Sequence, residues 1–240
     1  MLRSVCDLRA AVVLALSISV SLVNGQQAAI PLQGKSGLWT SIGSMTEARA
    51  GACAAQLQNS RVLIAGGQGS RGVLDSAELF DLQAGFSVAA AMSTPRATPT
   101  CVTLQDGRVL IAGGADAIGT AISGAEIYDP YTDRWSPVGD MAYSRSGHTA
   151  VRLSDGRVLI AGGEGQGAVR GSLEVFDPGA NAFSLLAGAV LAFPRKEHAA
   201  VALPDGRVLI AGGSDGSSAL ASTEIYDPAT GTITLGPTLS

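Results

Sequence analysis

Hydrophobic residues along this chain come in short bursts that lack the spacing of an amphipathic helix. The clearest is Arg61-Val-Leu-Ile-Ala-Gly-Gly67, and the same seven letters return at 108–114, 157–163 and 207–213. Four apolar residues in a row, led by Val and Leu-Ile, suit a short strand covered on both faces, and the glycine pair ends it. The copies start 47, 49 and 50 residues apart, so each marks one supersecondary unit of an array. Asp-Gly precedes three copies (Asp106-Gly107, Asp155-Gly156, Asp205-Gly206) and Asn59-Ser60 precedes the first. Asn and Asp tolerate, and Gly supplies, the positive φ of a tight hairpin.

Aligning the units on this burst predicts four strands in each. Strand a follows a Met or Leu placed four residues before an Arg: Met45/Arg49, Met92/Arg96, Met141/Arg145 and Leu191/Arg195. Strand b is the burst itself. Strand c is the Glu-apolar-aromatic-Asp run ending at Asp81, Asp129, Asp177 and Asp227, three times followed by a proline that forces a turn (Pro130, Pro178, Pro228). Strand d carries a bulky residue, Phe86, Trp135, Phe183 or Ile233. Four antiparallel strands in about 48 residues is the period of a propeller blade. The predicted class is all-β, with blades at about 46–92, 93–141, 142–190 and 191–240. Residues 36–45 read as a lone strand d, so the ring is expected to be incomplete.

Gly-Gly after a β-rich run, then Glu-x-Tyr-Asp-Pro, then Trp, with Arg145-Ser-Gly-His148 opening a unit, resembles the kelch repeat of β-propellers. The resemblance spans 39–240, and the Asp-Gly-Arg-Val-Leu-Ile-Ala-Gly-Gly wording is most similar to bacterial kelch and galactose-oxidase-like propellers. It implies fold strongly and activity weakly, because such scaffolds host unrelated functions. The first unit lacks the Asp-Gly turn and a proline after Asp81; Ala52 and Pro99 stand where later units have His; Ile233 stands where Trp is usual.

Residues 1–25 differ from the rest. Arg3 and Arg9 flank a polar start, Ala10–Val23 is almost wholly apolar, and Val23-Asn24-Gly25 follows, the order of a secretory signal peptide. Residues 26–35 read as a linker. The mature protein is therefore expected to be secreted, periplasmic or displayed at a cell surface, with no stable membrane insertion after cleavage. It keeps Cys53 and Cys101, which fall in register-shifted slots of consecutive units where other units hold small residues. We read them as buried small side chains in preference to a bridge. Net charge is −4 with a pI near 5.1 and no basic run, so nucleic acid is not an expected partner.

Candidate chemistry is sparse. Gly163-Glu-Gly165-Gln-Gly167 is not followed by the helix a phosphate loop needs, so no nucleotide cofactor is expected. His148 and His198 occupy equivalent slots of two units and read as repeat elements. No metal, catalytic residue or other cofactor is predicted, and a copper-radical oxidase like galactose oxidase finds no supporting spacing. The repeated Arg49, Arg96, Arg145 and Arg195, with Glu78, Glu126, Glu174 and Glu224, read as structural pairs, because a site breaks symmetry where a scaffold repeats it. Antiparallel a-b-c-d order places the a–b and c–d turns on one face of the disc and the b–c and d–a connections on the other. The b–c loops 68–75, 115–124, 164–172 and 214–222 are unlike, and hold Arg71, Asp75, Asp116, Glu164, Arg170 and Asp215 as candidate ligand contacts. The reading is a non-catalytic binding module for a protein or carbohydrate. The alternatives are a fragment of a carbohydrate-active enzyme of the galactose-oxidase kind, or a structural spacer in a larger surface protein. Further blades from a longer chain or a second chain are admitted as partners.

Overall fold

The computed structural model describes residues 41–239. The expected signal peptide, the linker and residues 36–40 of the lone strand lie outside the described residues, and residues 41–45 form no strand.

The first blade holds β1 (Cys53–Gln56) and β2 (Val62–Ala65). A small hairpin, β3 (Gln68–Gly69) with β4 (Gly72–Val73), interrupts its b–c loop before β5 (Ala77–Asp81) and β6 (Gly85–Ala89). The second holds β7 (Thr100–Thr103), β8 (Val109–Ala112), β9 (Ala125–Asp129) and β10 (Arg134–Pro137). The third repeats the extra hairpin: β11 (Thr149–Arg152), β12 (Val158–Ala161), β13 (Glu164–Gly165), β14 (Ala168–Val169), β15 (Ser172–Asp177) and β16 (Ala182–Val190). The fourth holds β17 (Ala199–Ala202), β18 (Val208–Ala211), β19 (Thr223–Asp227) and β20 (Thr232–Leu235). Each blade is an antiparallel four-stranded sheet in a-b-c-d order, as the repeat pattern predicts.

The Asp-Gly signal closes each a–b hairpin: Gly107, Gly156 and Gly206 take φ near +90°, and Ser60 takes +65° in the first blade. Each aspartate also anchors the arginine two residues on, as Asp106 Oδ1 accepts from Arg108 N–H and Oδ2 from Arg108 Nε–H. Across β5–β6, β9–β10 and β15–β16 the aromatic of strand c stacks on the bulky residue of strand d at 4.9–5.0 Å (Phe80–Phe86, Tyr128–Trp135, Phe176–Phe183).

Alternation within a strand sorts side chains to the two faces of a blade. The forward face of one blade packs on the backward face of the next: Leu63, Ala65 and Leu79 meet Val109, Ile111 and Tyr128. Leu110, Ala112 and Ile127 meet Val158, Ile160 and Phe176, and Leu159, Ala161 and Val175 meet Val208, Ile210 and Tyr226. This is why the central burst is apolar without alternation. β1, β7, β11 and β17 line the axis, each packed on the next, and no comparable packing returns from β17 to β1 among the described residues.

The arginine–glutamate set lies wholly inside the blades. Arg145 Nη1 donates to the Gly162 and Ser172 carbonyls, and Nη2 to Ser172 Oγ and to Glu174 Oε1 at 2.8 Å; both charged side chains are fully buried. Glu174 in turn accepts the Ala142 and Tyr143 amides, fixing the incoming connector. The same network recurs at Arg49/Glu78, Arg96/Glu126 and Arg195/Glu224. Burial lowers the Arg96 and Arg145 guanidiniums from their ordinary value, and Glu126 and Glu174 oppose that shift.

The cysteine reading is corrected: Cys53 and Cys101 form a disulfide, with Cα atoms 5.7 Å apart. Their shifted slots are the reason. Cys53 points forward from blade one and Cys101 backward from blade two, so different slots are what bring the sulfurs together. In blades two and three the forward slot holds Thr, and Thr100 Oγ1 bonds His148 Nε2 of the next blade as Thr149 Oγ1 bonds His198 Nε2, both at 2.8 Å. Each inner contact thus carries one staple, covalent where Pro99 replaces the histidine.

Candidate functional site

The two faces of the disc separate as expected. The Asp155 turn and the Asp177 turn line one cleft, together with Asp106 of the neighbouring blade. On the opposite face each d–a connector bridges the b–c loop of its own blade: Ala50 to Gln68, Ala97 to Ala115, Ser146 to Glu164, Lys196 to Ser214. Four connector residues there stand in the left-handed region, Gly51 (φ 62°), Thr98 (49°), Gly147 (62°) and Glu197 (55°). Neighbours are tied by Thr98 N–H to the Gly51 carbonyl and Glu197 N–H to the Gly147 carbonyl. A β-branched Thr and a Glu in a conformation that favours glycine are locally strained, and both are exposed.

The six candidate residues divide by what their side chains do. Asp116 Oδ1 accepts the Ile118 and Thr120 amides, and Asp215 Oδ1 accepts the Ser217 and Ser218 amides and the Ser217 hydroxyl. Those amides hold the Asp215 carboxyl below its usual range. Both aspartates close their own loops. Arg71 and Asp75 are exposed on the first b–c loop, away from the other charged candidates in the sequence, and the Asp75 carbonyl accepts the Met92 amide.

Glu164 and Arg170 belong to a cluster on the third loop. Glu164 pairs with Lys196 of the fourth blade and holds its ammonium above the usual range. The Arg170 guanidinium lies 4.5 Å above the Tyr143 ring, a cation–π arrangement. Its Nη2 donates to the Gly165 carbonyl, and its Nε is buried with no partner among the described residues. Tyr143 and Lys196 were missed in the sequence because they lie on connectors, not on b–c loops. A signal was there: the slot two residues before each repeated arginine reads Glu47, Thr94, Tyr143 and Phe193, with no repetition. Phe193 (43% exposed) and Ile118 (88% exposed) add apolar surface to this side of the disc.

Neither histidine joins the cluster. Burial, followed by the Arg145 charge, pulls His148 down to about 3, and burial pulls His198 down to about 4, so both are neutral partners of threonines. The turn face holds a cavity of about 460 Å³ lined by Gln105, Arg152, Ser154 and Asp205. Arg152 Nη1 there donates to the Thr103 carbonyl across the blade boundary.

Four-stranded antiparallel blades packed face to face around strand a define a β-propeller. Residues 96–142 and 195–240 match the kelch motif, so kelch repeats form part of this β-propeller. Among solved structures it is similar to YjhT, with a TM-score of 0.67 and 18% identity over 83% of this chain and 68% of that one. At this identity the likeness shows the fold alone, and with 379 solved chains matching, shape does not select a ligand. No curated protein sequence matches the chain.

Proposed function

We propose that the protein is an exported, non-catalytic binding module that engages a protein or glycan ligand on its loop face. The observation that carries this is the cluster of Tyr143, Arg170, Glu164 and Lys196, which breaks the fourfold repetition on a rigid scaffold. A stacked Arg–Tyr pair beside a partly exposed ion pair offers planar apolar surface and charged hydrogen-bond groups together, the mixture that recognises sugars and polar peptides. The Cys53–Cys101 disulfide supports an oxidising destination. The cavity around Arg152 supports a second site of recognition, for a small anionic ligand on the turn face.

Glycan and peptide arrays probed with the intact protein test the reading. Binding that is lost in Tyr143→Ala and Arg170→Ala, and kept in Arg152→Ala, is the expected result. Binding that follows Arg152 alone would move the site to the turn face.

A further inference from the structure

On the turn face, neighbouring a–b turns stack through one repeated side chain, and the stack fails at a single boundary. Gln58 lies over Gly107 and Gln105 over Gly156: a Cβ on either glycine would stand 2.9 Å from the glutamine of the preceding blade. The same slot, three residues before the strand-b burst, holds Ser154 in blade three. Its hydroxyl stops 3.7 Å from the equivalent point on Gly206, and the cavity of about 460 Å³ opens there, between blades three and four.

A second slot changes at the same boundary. Thr103 Oγ1 donates to the Gln56 carbonyl at 2.6 Å, and Arg152 Nη1 to the Thr103 carbonyl at 3.1 Å, so each inner strand is tied to the one before it. Blade four has Ala202 in this slot, and its methyl offers the Arg152 carbonyl no donor. One boundary has therefore lost a filler and a donor together. A guanidinium, an open carbonyl, the Ser154 hydroxyl and the Gln105 carboxamide line the gap. Among the described residues Arg152 spends one nitrogen on a neutral carbonyl and its charge is uncompensated, whereas Asp205 in the same cavity is taken by Arg207. The neighbouring cavity of about 240 Å³ differs: Asp106, Asp155 and Asp177 line it, and its Arg157 is paired with Asp155. That cavity repels an anion, and the one at Arg152 attracts one.

We infer that this cavity binds a small organic carboxylate that carries a hydrogen-bond donor on the adjacent carbon, the chemistry shared by α-hydroxy acids and N-acyl amino acids. The inference rests on the reading of a second site at Arg152 and is independent of the loop-face cluster. The planar guanidinium fork matches a carboxylate, and the bond from Nη1 to Thr103 holds the fork in place. The Arg152 carbonyl accepts the O–H or N–H of the ligand, as the Gln56 carbonyl accepts the Thr103 hydroxyl. Ser154 and Gln105 supply further donors to the carboxylate oxygens, and the small Ala202 leaves space for the substituent.

Isothermal titration calorimetry of the intact protein with L-lactate, N-acetyl-L-alanine, acetate and inorganic phosphate, each up to about 10 mM, tests this. Lactate or N-acetyl-L-alanine is expected to bind about tenfold more tightly than acetate, which lacks the donor, and the tighter of the two shows whether a hydroxyl or an amide is taken. Arg152→Met keeps the apolar stem and weakens binding about tenfold or more. Ser154→Gln restores the filler of the other blades and removes binding. Ala202→Thr gives the Arg152 carbonyl the hydroxyl that Thr103 gives the Gln56 carbonyl, and brings lactate down to the level of acetate. Both insert residues that this repeat already uses, so both keep the parent melting temperature within a few degrees and decide the matter if Arg152→Met fails to fold. Tyr143→Ala, on the opposite face, leaves the titration unchanged. No heat from any probe overturns the inference together with the second-site reading. Acetate or phosphate binding as tightly as lactate keeps an anion site but overturns the donor pairing, and binding that persists in Ser154→Gln overturns the placement.

Discussion

The two faces of the disc are made by the same strands, yet they differ in what repeats. On the turn face, blades two to four close with the same Asp-Gly-Arg ion pair, at 2.7, 2.7 and 2.6 Å. On the loop face two b–c loops fold into hairpins at β3–β4 and β13–β14, and two are held by the single bridges Ala115–Ala121 and Ser214–Ala219. Beneath the loop face lies the buried arginine–glutamate layer, alike in every blade except that Gly124 stands in place of the serine in blade two. Repetition therefore marks positions that hold the scaffold, and departures from it mark positions free to recognise something.

That division breaks if repeated positions prove dispensable. Arg145→Ala leaves Glu174 buried without its cation and strips the Gly162 and Ser172 carbonyls of their donor, a loss of about 3–5 kcal/mol. Thermal unfolding checks it, at about 2–4 °C per kcal/mol for a domain of this size. Arg96→Ala is expected to cost less, because Gly124 stands where the serine hydroxyl sits beside Arg145. Reduction, or Cys53→Ala, is expected to remove about 2–4 kcal/mol by freeing the loop between the joined residues, whose sequence separation is 48. Hydrogen exchange would place that loss between blades one and two.

The histidine staples give a pH signature. Folded values of about 3 for His148 and about 4 for His198 lie below the ordinary 6.5, so the unfolded chain binds more protons between those limits. Their contribution is complete above about pH 6.5 and is lost as pH falls toward 3–4. His198→Gln, which keeps a polar partner for Thr149, is expected to flatten the stability profile across that window. An unchanged slope would assign the acid sensitivity to carboxylates instead. Tyr143→Ala and Arg170→Ala, on the loop face, are expected to shift stability by less than about 1 kcal/mol.

Much of this scaffold was legible because each of its signals occurs in several units. The Val-Leu-Ile-Ala burst gave β2, β8, β12 and β18, and the repeated Arg and Glu fell in one buried layer. What escaped depends on directions a linear alignment does not carry. Cys53 and Cys101 occupy different slots of the repeat, whereas the contact between blades joins a forward slot to a backward slot. Asp116 and Asp215 stood out as non-repeating charges, yet their carboxylates are taken up by amides within their own loops. Arg170 was found as a candidate, but its stacking on Tyr143 joins residues 27 positions apart that share no motif.

Separability of recognition from scaffold is tested most directly by replacing residues 164–172 with residues 214–222 and following ligand binding and thermal unfolding on the same preparation. The exchange removes Glu164 and Arg170 while a loop native to the neighbouring blade takes their place. Altered binding with a melting temperature within a few degrees of the parent, about 1 kcal/mol, is the predicted result. Unaltered binding, or binding that vanishes only when the Asp106 or Asp155 turns are changed, would contradict it.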